Sequence, residues 1–398
     1  MAAKTRWGVV FVLILAGVVT ALQIGKAAIA VPILQRELVL TLVAASWIVG
    51  TYGVLGAIGG LPAGILTSLF SARATVIAGL LAAGIGSLAG AFAESGAAMI
   101  ATRVLEGGGS LAASLAIPRL LRAVTAPKDL DTVLAVWGAH LPFGSVIMML
   151  AGPHVMSFGW QALWLINGAV ALGYALVVAG MRFNEAPTAH TATQSVFANI
   201  GAVFSTPGPV LLALAFGTYT FQYLALSGLL PALLVERMGL SIAAAGTVSA
   251  IAVAANAVGN MSAGALLRLG VPVWSILACA FAFVGLAALG VFSDKAPVAV
   301  VAVLAAASLG LTGLIPGSIY AAAPKLAPTS AMLAIALGLI NQVTNIGNLA
   351  GPAAMALTVE SLGWSGAPLL FAGVTVAGVT VALSLRGVLR RAALASSG

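Results

Sequence analysis

The sequence predicts an all-α integral membrane protein whose twelve transmembrane helices form two pseudo-symmetric six-helix bundles. Three observations carry this. Of 398 residues, 61% are hydrophobic and only 7% are charged, with a mean hydropathy of +1.14, which leaves too few charges to cover a soluble core of that size. Apolar windows of about 20 residues, the length that crosses bilayer hydrocarbon, recur twelve times between polar or Gly/Pro breaks. The two halves of the chain also match locally at a fixed offset of 199 residues.

The windows lie at 7–33, 42–66, 74–92, 97–122, 132–153, 161–181, 207–233, 242–265, 273–292, 297–320, 331–357 and 365–386. The first follows a basic start, Lys4 and Arg6, but its apolar stretch exceeds a secretory h-region and no convincing cleavage site follows, so it reads as a span. Arg36 and Glu37 close it, Arg73 precedes the third, and Lys128 precedes the fifth. Glu236 and Arg237 close the seventh, and Asp294 and Lys295 separate the ninth from the tenth. All seven tryptophans, Trp7, Trp47, Trp137, Trp160, Trp164, Trp274 and Trp364, fall in the outer parts of spans or at their ends, as an aromatic belt requires.

With the N-terminus in the cytoplasm, Lys4, Arg6, Arg73, Arg119, Arg122, Lys128, Arg182, Arg268, Lys325, Arg386, Arg390 and Arg391 share that side. Only Arg36, Arg237 and Lys295 oppose them. The positive-inside rule therefore accounts for the net charge of +8 and places both termini on the cytoplasmic side of a cytoplasmic (inner) membrane. No basic patch interleaved with aromatics is left for nucleic acid. The single cysteine, Cys279, rules out intramolecular disulfides and Cys-rich metal signatures, and inert packing is expected of it.

The longest polar stretch, 182–208, divides the spans six and six. The expected organisation is an N-terminal bundle over 1–181, a cytoplasmic linker over 182–206 and a C-terminal bundle over 207–398, with a short surface helix in "SVFANIGAVF". At the 199-residue offset "PILQRE" (32–37) falls on "PALLVE" (231–236), and "AGP" at 151–153 falls on "AGP" at 350–352. Each "AGP" is followed by a Gly-Trp pair, Gly159-Trp160 and Gly363-Trp364. In proteins built from parallel repeats the substrate site lies near the membrane midplane and access alternates.

Polar residues inside the spans are the candidate site. Lys26 lies in the apolar run "TALQIGKAAIAVPIL", where a lysine costs roughly 2.5–3.5 kcal/mol on insertion scales. Gln23 shares its helix face. The offset carries Gln23 to Gln222, which stands between Tyr219 and Tyr223, so both repeats are expected to turn an amide toward a polar cavity, with Lys26 hydrated there. Arg103 and Glu106 are three residues apart and can pair, and Glu106 is the one carboxylate placed within the hydrocarbon. His140, near the middle of the fifth span, has a side chain suited to proton relay. Pro142 and Gly144 are expected to loosen that helix. In the eleventh span, Asn341, Gln342, Asn345 and Asn348 offer neutral donors and acceptors to a polar substrate; Asn256 and Asn260 in the eighth are a weaker case. For each group the plainer alternative is structural: helix-to-helix hydrogen bonds, an ion pair that neutralises itself, a backbone-bonded histidine.

Four local motifs carry a family resemblance. "RVLEGGGSLAA" (103–113) resembles the fourth-span motif of the major facilitator superfamily of secondary transporters. "GILTSLFSARA" (64–74) occupies the place of that family's Gly-x-x-x-Asp-Arg loop, keeping Gly64 and Arg73 but bearing Ser68 and Leu69 where the aspartate and arginine belong. "MLAGPHVMS" keeps the Gly152-Pro153 pair of an antiporter motif without its later glycines, and "LQIGKAAIAVP" (22–32) has Gln23 where drug exporters carry an aspartate. The resemblance implies a transporter that works by alternating access, with a role for Arg103 in proton handling or substrate contact.

The expected function is secondary active transport of a small solute. A positive field from Lys26, Arg103 and His140 against Glu106 favours a small organic anion. Glu106 and His140 are the candidate proton-coupling groups, and Gln23, Lys26, Arg103, His140, Tyr219, Gln222, Tyr223, Asn341, Gln342 and Asn345 the candidate substrate contacts. A proton-coupled exporter of drug-like molecules is the alternative, and a non-transporting receptor or assembly factor the remote one. No catalytic constellation, nucleotide loop or cofactor motif is present in the sequence, so an enzyme is not expected, nor a cofactor or a metal; Met148, Met149, His154 and Met156 are soft-metal donors by type, and ordinary packing is expected of them. The expected partners are the solute, H+ and the lipid bilayer, and the chain is expected to be a monomer.

Overall fold

In a computed structural model, which describes residues 4–60, 70–183, 200–327, 329 and 332–396, the described residues form helices joined by short turns, with no strand among them. The first seven helices are α1 (Trp7–Glu37), α2 (Leu42–Gly50), α3 (Ala72–Gly90), α4 (Gly96–Val124), α5 (Pro127–Gly138), α6 (His140–Val155) and α7 (Trp160–Gly180). Seven more follow: α8 (Pro207–Glu236), α9 (Ile242–Arg268), α10 (Val273–Val291), α11 (Val298–Thr312), α12 (Leu314–Leu326), α13 (Leu333–Leu362) and α14 (Ala367–Ser396). Beyond α2, a 3-10 turn, Thr51–Gly53, leads into helix that reaches Gly60.

Among the described residues ten stretches are long and apolar enough to cross a membrane. Helices α4 and α13, of 29 and 30 residues, have the length to cross as well and stand where the fourth and eleventh spans were expected. Thr41, Ser71 and Ser95 cap α2, α3 and α4, each side chain accepting from a backbone N–H three residues on. Two expected single spans are broken. The fifth divides at Ala139 into α5 and α6, and the tenth at Gly313 into α11 and α12. Each break lies three residues before a proline, Pro142 and Pro316, which has no N–H to bond the carbonyl one turn back.

The repeat is visible in the backbone. The bond closing α1, from Leu38 N to Leu34 O at 3.0 Å, recurs at the 199-residue offset from Arg237 N to Leu233 O at 3.1 Å. Gly159 and Gly363, before the sixth and twelfth spans, both take positive φ, 95° and 71°, which a side chain disfavours.

Packing groups the chain into two units. The first comprises Met1–Gly56, Pro62–His190 and Gly228–Ile251; the second comprises Ala57–Leu61, Thr191–Ser227 and Ala252–Gly398. The first has a core of Leu13, Leu80, Ile117, Leu120 and their neighbours. The second is built on Phe216, Phe281, Ile315 and Ile340. Large apolar side chains such as Leu176, Leu286, Val303 and Val376 are exposed, as lipid-facing residues are when no water needs to wet them. Cys279 is among the exposed residues; it looks outward from α10 and is not a packing residue of the core. Most of the expected linker, together with the first half of the surface helix and Gly64, Ser68 and Leu69, lies outside the described residues; residues 200–205, which include the second half of that helix, are helical.

Candidate functional site

In the first unit, α3 and α4 approach closely enough to define the site. A Cβ on Gly86 would stand 2.9 Å from Glu106 N, and one on Gly107 would collide with the Tyr52 carbonyl. Only glycine at these places lets three backbones crowd around residues 103–107. On the opposite side of α1, a Cβ at Gly25 would stand 2.7 Å from Ser145 Cα. Lys26 is thereby turned toward α3, α4 and α7.

The result is a sealed ion cluster. Lys26 Nζ donates to Glu106 Oε1 at 3.0 Å and to Ser87 Oγ at 2.5 Å, and stands 4.7 Å from the centroid of the Trp164 ring. Ser87 Oγ in turn donates to Trp164 O at 2.7 Å. The Arg103 guanidinium pairs with Glu106 Oε2 through Nη1 and donates from Nε to Ile48 O at 2.9 Å, while Nη2 has no partner among the described residues. Tyr52 lies beneath it, its ring centroid 5.4 Å from Cζ. Lys26, Arg103 and Glu106 are each 0% exposed.

The Arg103–Glu106 contact is the one that their spacing predicts. The placement of Lys26 differs from the sequence reading, which set it against water in a cavity. It is instead dry and held by Glu106, because α4 presents a carboxylate at the depth where α1 carries the lysine. Ser87, Trp164 and Tyr52 were missed as members of the site. Ser87 was the legible one, a hydroxyl midway along an apolar span.

Gln23 and Gln222 are also fully buried, and neither side-chain oxygen nor nitrogen of either one has a hydrogen-bond partner among the described groups. Buried amides are rarely left so. His140 stacks on Trp137 with centroids 4.0 Å apart and bonds its carbonyl through Nδ1 at 2.7 Å, leaving Nε2 without a partner. It therefore sits with Gly17 and Trp137, apart from the ion cluster.

In the second unit, Phe216, Tyr219, Tyr223 and Tyr320 form a contiguous aromatic group, with centroid separations of 5.5 to 5.7 Å. Tyr219 donates to Asn256 Oδ1 at 3.2 Å, and Asn256 Nδ2 to Leu309 O at 2.8 Å. On α13, Asn345 bonds back to Asn341 O at 2.8 Å and Gln342 donates to Ala57 O at 3.2 Å, while Asn341 Nδ2 is buried without a partner. Of the polar groups weighed for soft metal, His154 bonds Leu150 O through Nδ1 at 3.1 Å.

Charged side chains kept at membrane depth, in a bundle of spanning helices built from repeated halves, define the class of multi-pass membrane transporters. The chain belongs to the Major Facilitator Superfamily, whose profile matches residues 13–335. Over 201 residues it is 32% identical to the tetracenomycin C resistance and export protein of Streptomyces glaucescens, covering 48% of this chain and 36% of that one. Over 263 residues it is 24% identical to the hexuronate transporter of Bacillus subtilis (strain 168), covering 63% of this chain and 62% of that one. The chain thus spans less than two thirds of the length of these curated relatives.

Among solved structures it is similar to a bacterial homologue of the human lysosomal transporter Spinster. The inward-facing unoccupied form superposes with a TM-score of 0.76 at 14% identity, covering 98% of this chain and 99% of that one. The occupied form gives a TM-score of 0.77 at the same identity, covering 98% of each. This likeness establishes the fold.

Proposed function

We propose that the chain is a secondary active transporter that carries a small organic anion across the cytoplasmic membrane by alternating access. One observation carries the reading: the buried cluster holds two cations, Lys26 and Arg103, against one carboxylate, Glu106. Whenever Lys26 and Arg103 are both protonated, one positive charge is uncompensated, which is costly in hydrocarbon, and a bound anion neutralises it. The Arg103 Nη2 and the Gln23 amide, without partners among the described groups and buried in the same unit, are the proposed further donors to it once alternation opens the cluster. Gln222, Tyr219, Tyr223, Asn341, Gln342 and Asn345 are the proposed contacts from the other repeat. Proton coupling is proposed to be centred on the cluster that Glu106 organises, with His140, whose Nε2 has no partner among the described residues, as the proposed relay. The proposed organisation is two six-helix halves, 1–181 and 207–398, joined by a cytoplasmic linker over 182–206, with both termini inside and the chain acting as a monomer. A relative named for hexuronate, a sugar carboxylate, agrees with an anionic substrate.

A thermal-shift screen of purified protein against monocarboxylates including glucuronate, organic cations and drug-like aromatics, at two pH values, tests this. Stabilisation by a carboxylate that weakens in Lys26→Met is expected. The loss corresponds to one charge-assisted contact, about ten- to a hundredfold in affinity for roughly 1.5–3 kcal/mol. Stabilisation by cations or neutral aromatics alone counts against it.

A second reading, export of drug-like molecules, is favoured by the aromatic group around Tyr219, in which Tyr320 is exposed, and by the relative named for export. Under it, Tyr223→Ala and Tyr320→Ala lower the efflux of planar aromatic compounds while Lys26→Met does not.

A further inference from the structure

We infer that the proton exchanged by this transporter is carried by Lys26 and not by a carboxylate, so that one proton moves with each monoanion and the cycle is electroneutral. This rests on the anion reading above.

The hydrogen-bond pattern decides between the two candidate carriers. Glu106 accepts through both oxygens, Oε1 from Lys26 and Oε2 from Arg103. A proton added to either oxygen would face a donor already aimed at it. It would also leave two cations in the apolar interior with no anion beside them. Lys26 is placed differently. As an ammonium it has three hydrogens, and its neighbours are Ser87 Oγ at 2.5 Å, Glu106 Oε1 at 3.0 Å and the face of Trp164 at 4.7 Å. The hydroxyl hydrogen of Ser87 is committed to Trp164 O, so Ser87 can only accept from the lysine. A neutral amine has two hydrogens for these two oxygens. Losing the third proton therefore gives up only the contact with the indole, and leaves Arg103 and Glu106 as a balanced pair.

Among the described residues no other titratable group competes for this role around Lys26. Helix α4 brings Glu106 and Arg103, α3 brings Ser87, and α7 brings Trp164. Helix α6 meets α1 at Gly25 through Ser145 and Met148, and its His140 lies farther along at Gly17, bonded to the Trp137 carbonyl. Tyr52, beyond α2, faces Arg103 and donates to Thr20 O. Asp129 of α5 accepts from Thr5 near the start of the chain.

The cycle then balances. In the empty cluster the Lys26 amine is neutral beside the Arg103–Glu106 pair. Loading adds H+ to the amine and a monoanion to the cluster, so the total charge is unchanged; release reverses both. Neither step requires Glu106 to change its protonation state.

The test follows the five lysines by 15N NMR in protein labelled at the lysine side chain and reconstituted in lipid. Lys4, Lys128, Lys295 and Lys325 are exposed, and Lys26 is assigned by the signal missing from Lys26→Met or, where that variant folds poorly, from Lys26→Arg. The Lys26 Nζ signal should pass from ammonium to amine in a pH range where the other four remain ammonium. In infrared difference spectra over that range, no carboxylic-acid C=O band that Glu106→Gln removes should appear. A Lys26 signal that keeps one protonation state throughout, or a Glu106 acid band, overturns the inference. In proteoliposomes with a trapped pH dye, glucuronate uptake should carry one proton per molecule and be indifferent to an imposed membrane potential; uptake that moves net charge also overturns it. Failure to carry glucuronate or any other monocarboxylate would sink the anion reading, whereas the NMR result reports on Lys26 independently.

Discussion

Lys26 of the first span and Glu106 of the fourth are joined by a 3.0 Å ion pair in which neither side chain exposes any surface. Breaking a buried pair from one side leaves an uncompensated charge, at a cost of about 3–5 kcal/mol. Because Glu106 serves two cations and Lys26 only one anion, Glu106→Gln should lower thermal stability in detergent more than Lys26→Met. The double variant should recover part of the loss. Strictly additive losses would mean that the two residues are not coupled.

Gln23 and Gln222 separate stability from function. Both amides are buried without partners, so replacing either with an apolar residue of similar shape should be neutral or stabilising. Gln23→Leu and Gln222→Leu are expected to hold or raise the unfolding temperature while reducing substrate affinity about tenfold, the equivalent of roughly 1.4 kcal/mol. A fall in stability with unchanged transport would make them structural.

The close approach at Gly107 should tolerate no side chain. Gly107→Ala sets a Cβ against the Tyr52 carbonyl, and overpacking of this kind costs roughly 1–3 kcal/mol. Gly173→Ala, on α7, meets nothing within 4 Å and should lie within about 0.5 kcal/mol of the parent. Equal unfolding temperatures for the two variants would remove the argument that glycine brings α4 against the 3-10 turn beyond α2.

Orientation in the membrane is tested by reporter fusions. Those after Arg73, within 185–205 and after Arg391 should report the cytoplasm, and those near Glu37, Glu236 and Asp294 the outside. Two adjacent loops reporting the same side would break the alternation of twelve spans.

What the sequence determined by itself is everything the bilayer imposes locally. Spanning helices must be long and apolar because their backbone bonds can only be satisfied within the helix. The spans around α1, α8 and α14, the repeat that sets 32–37 on 231–236 and the Arg103–Glu106 pair one turn apart were therefore legible. The prolines at 142 and 316 sit three residues beyond the two helix breaks, and only the first of these was read in advance.

Which way each helix faces was decided by the tertiary structure alone. On α1 only Gln23 and Lys26 mark a polar face, and nothing in the helix says which neighbour that face meets, so the sequence placed Lys26 against water. The partners that hold it, Ser87 and Glu106, lie 61 and 80 residues away in the chain. They meet Lys26 because glycines at 86 and 107 let neighbouring backbones come close, a relation between helices that no spacing within one helix encodes.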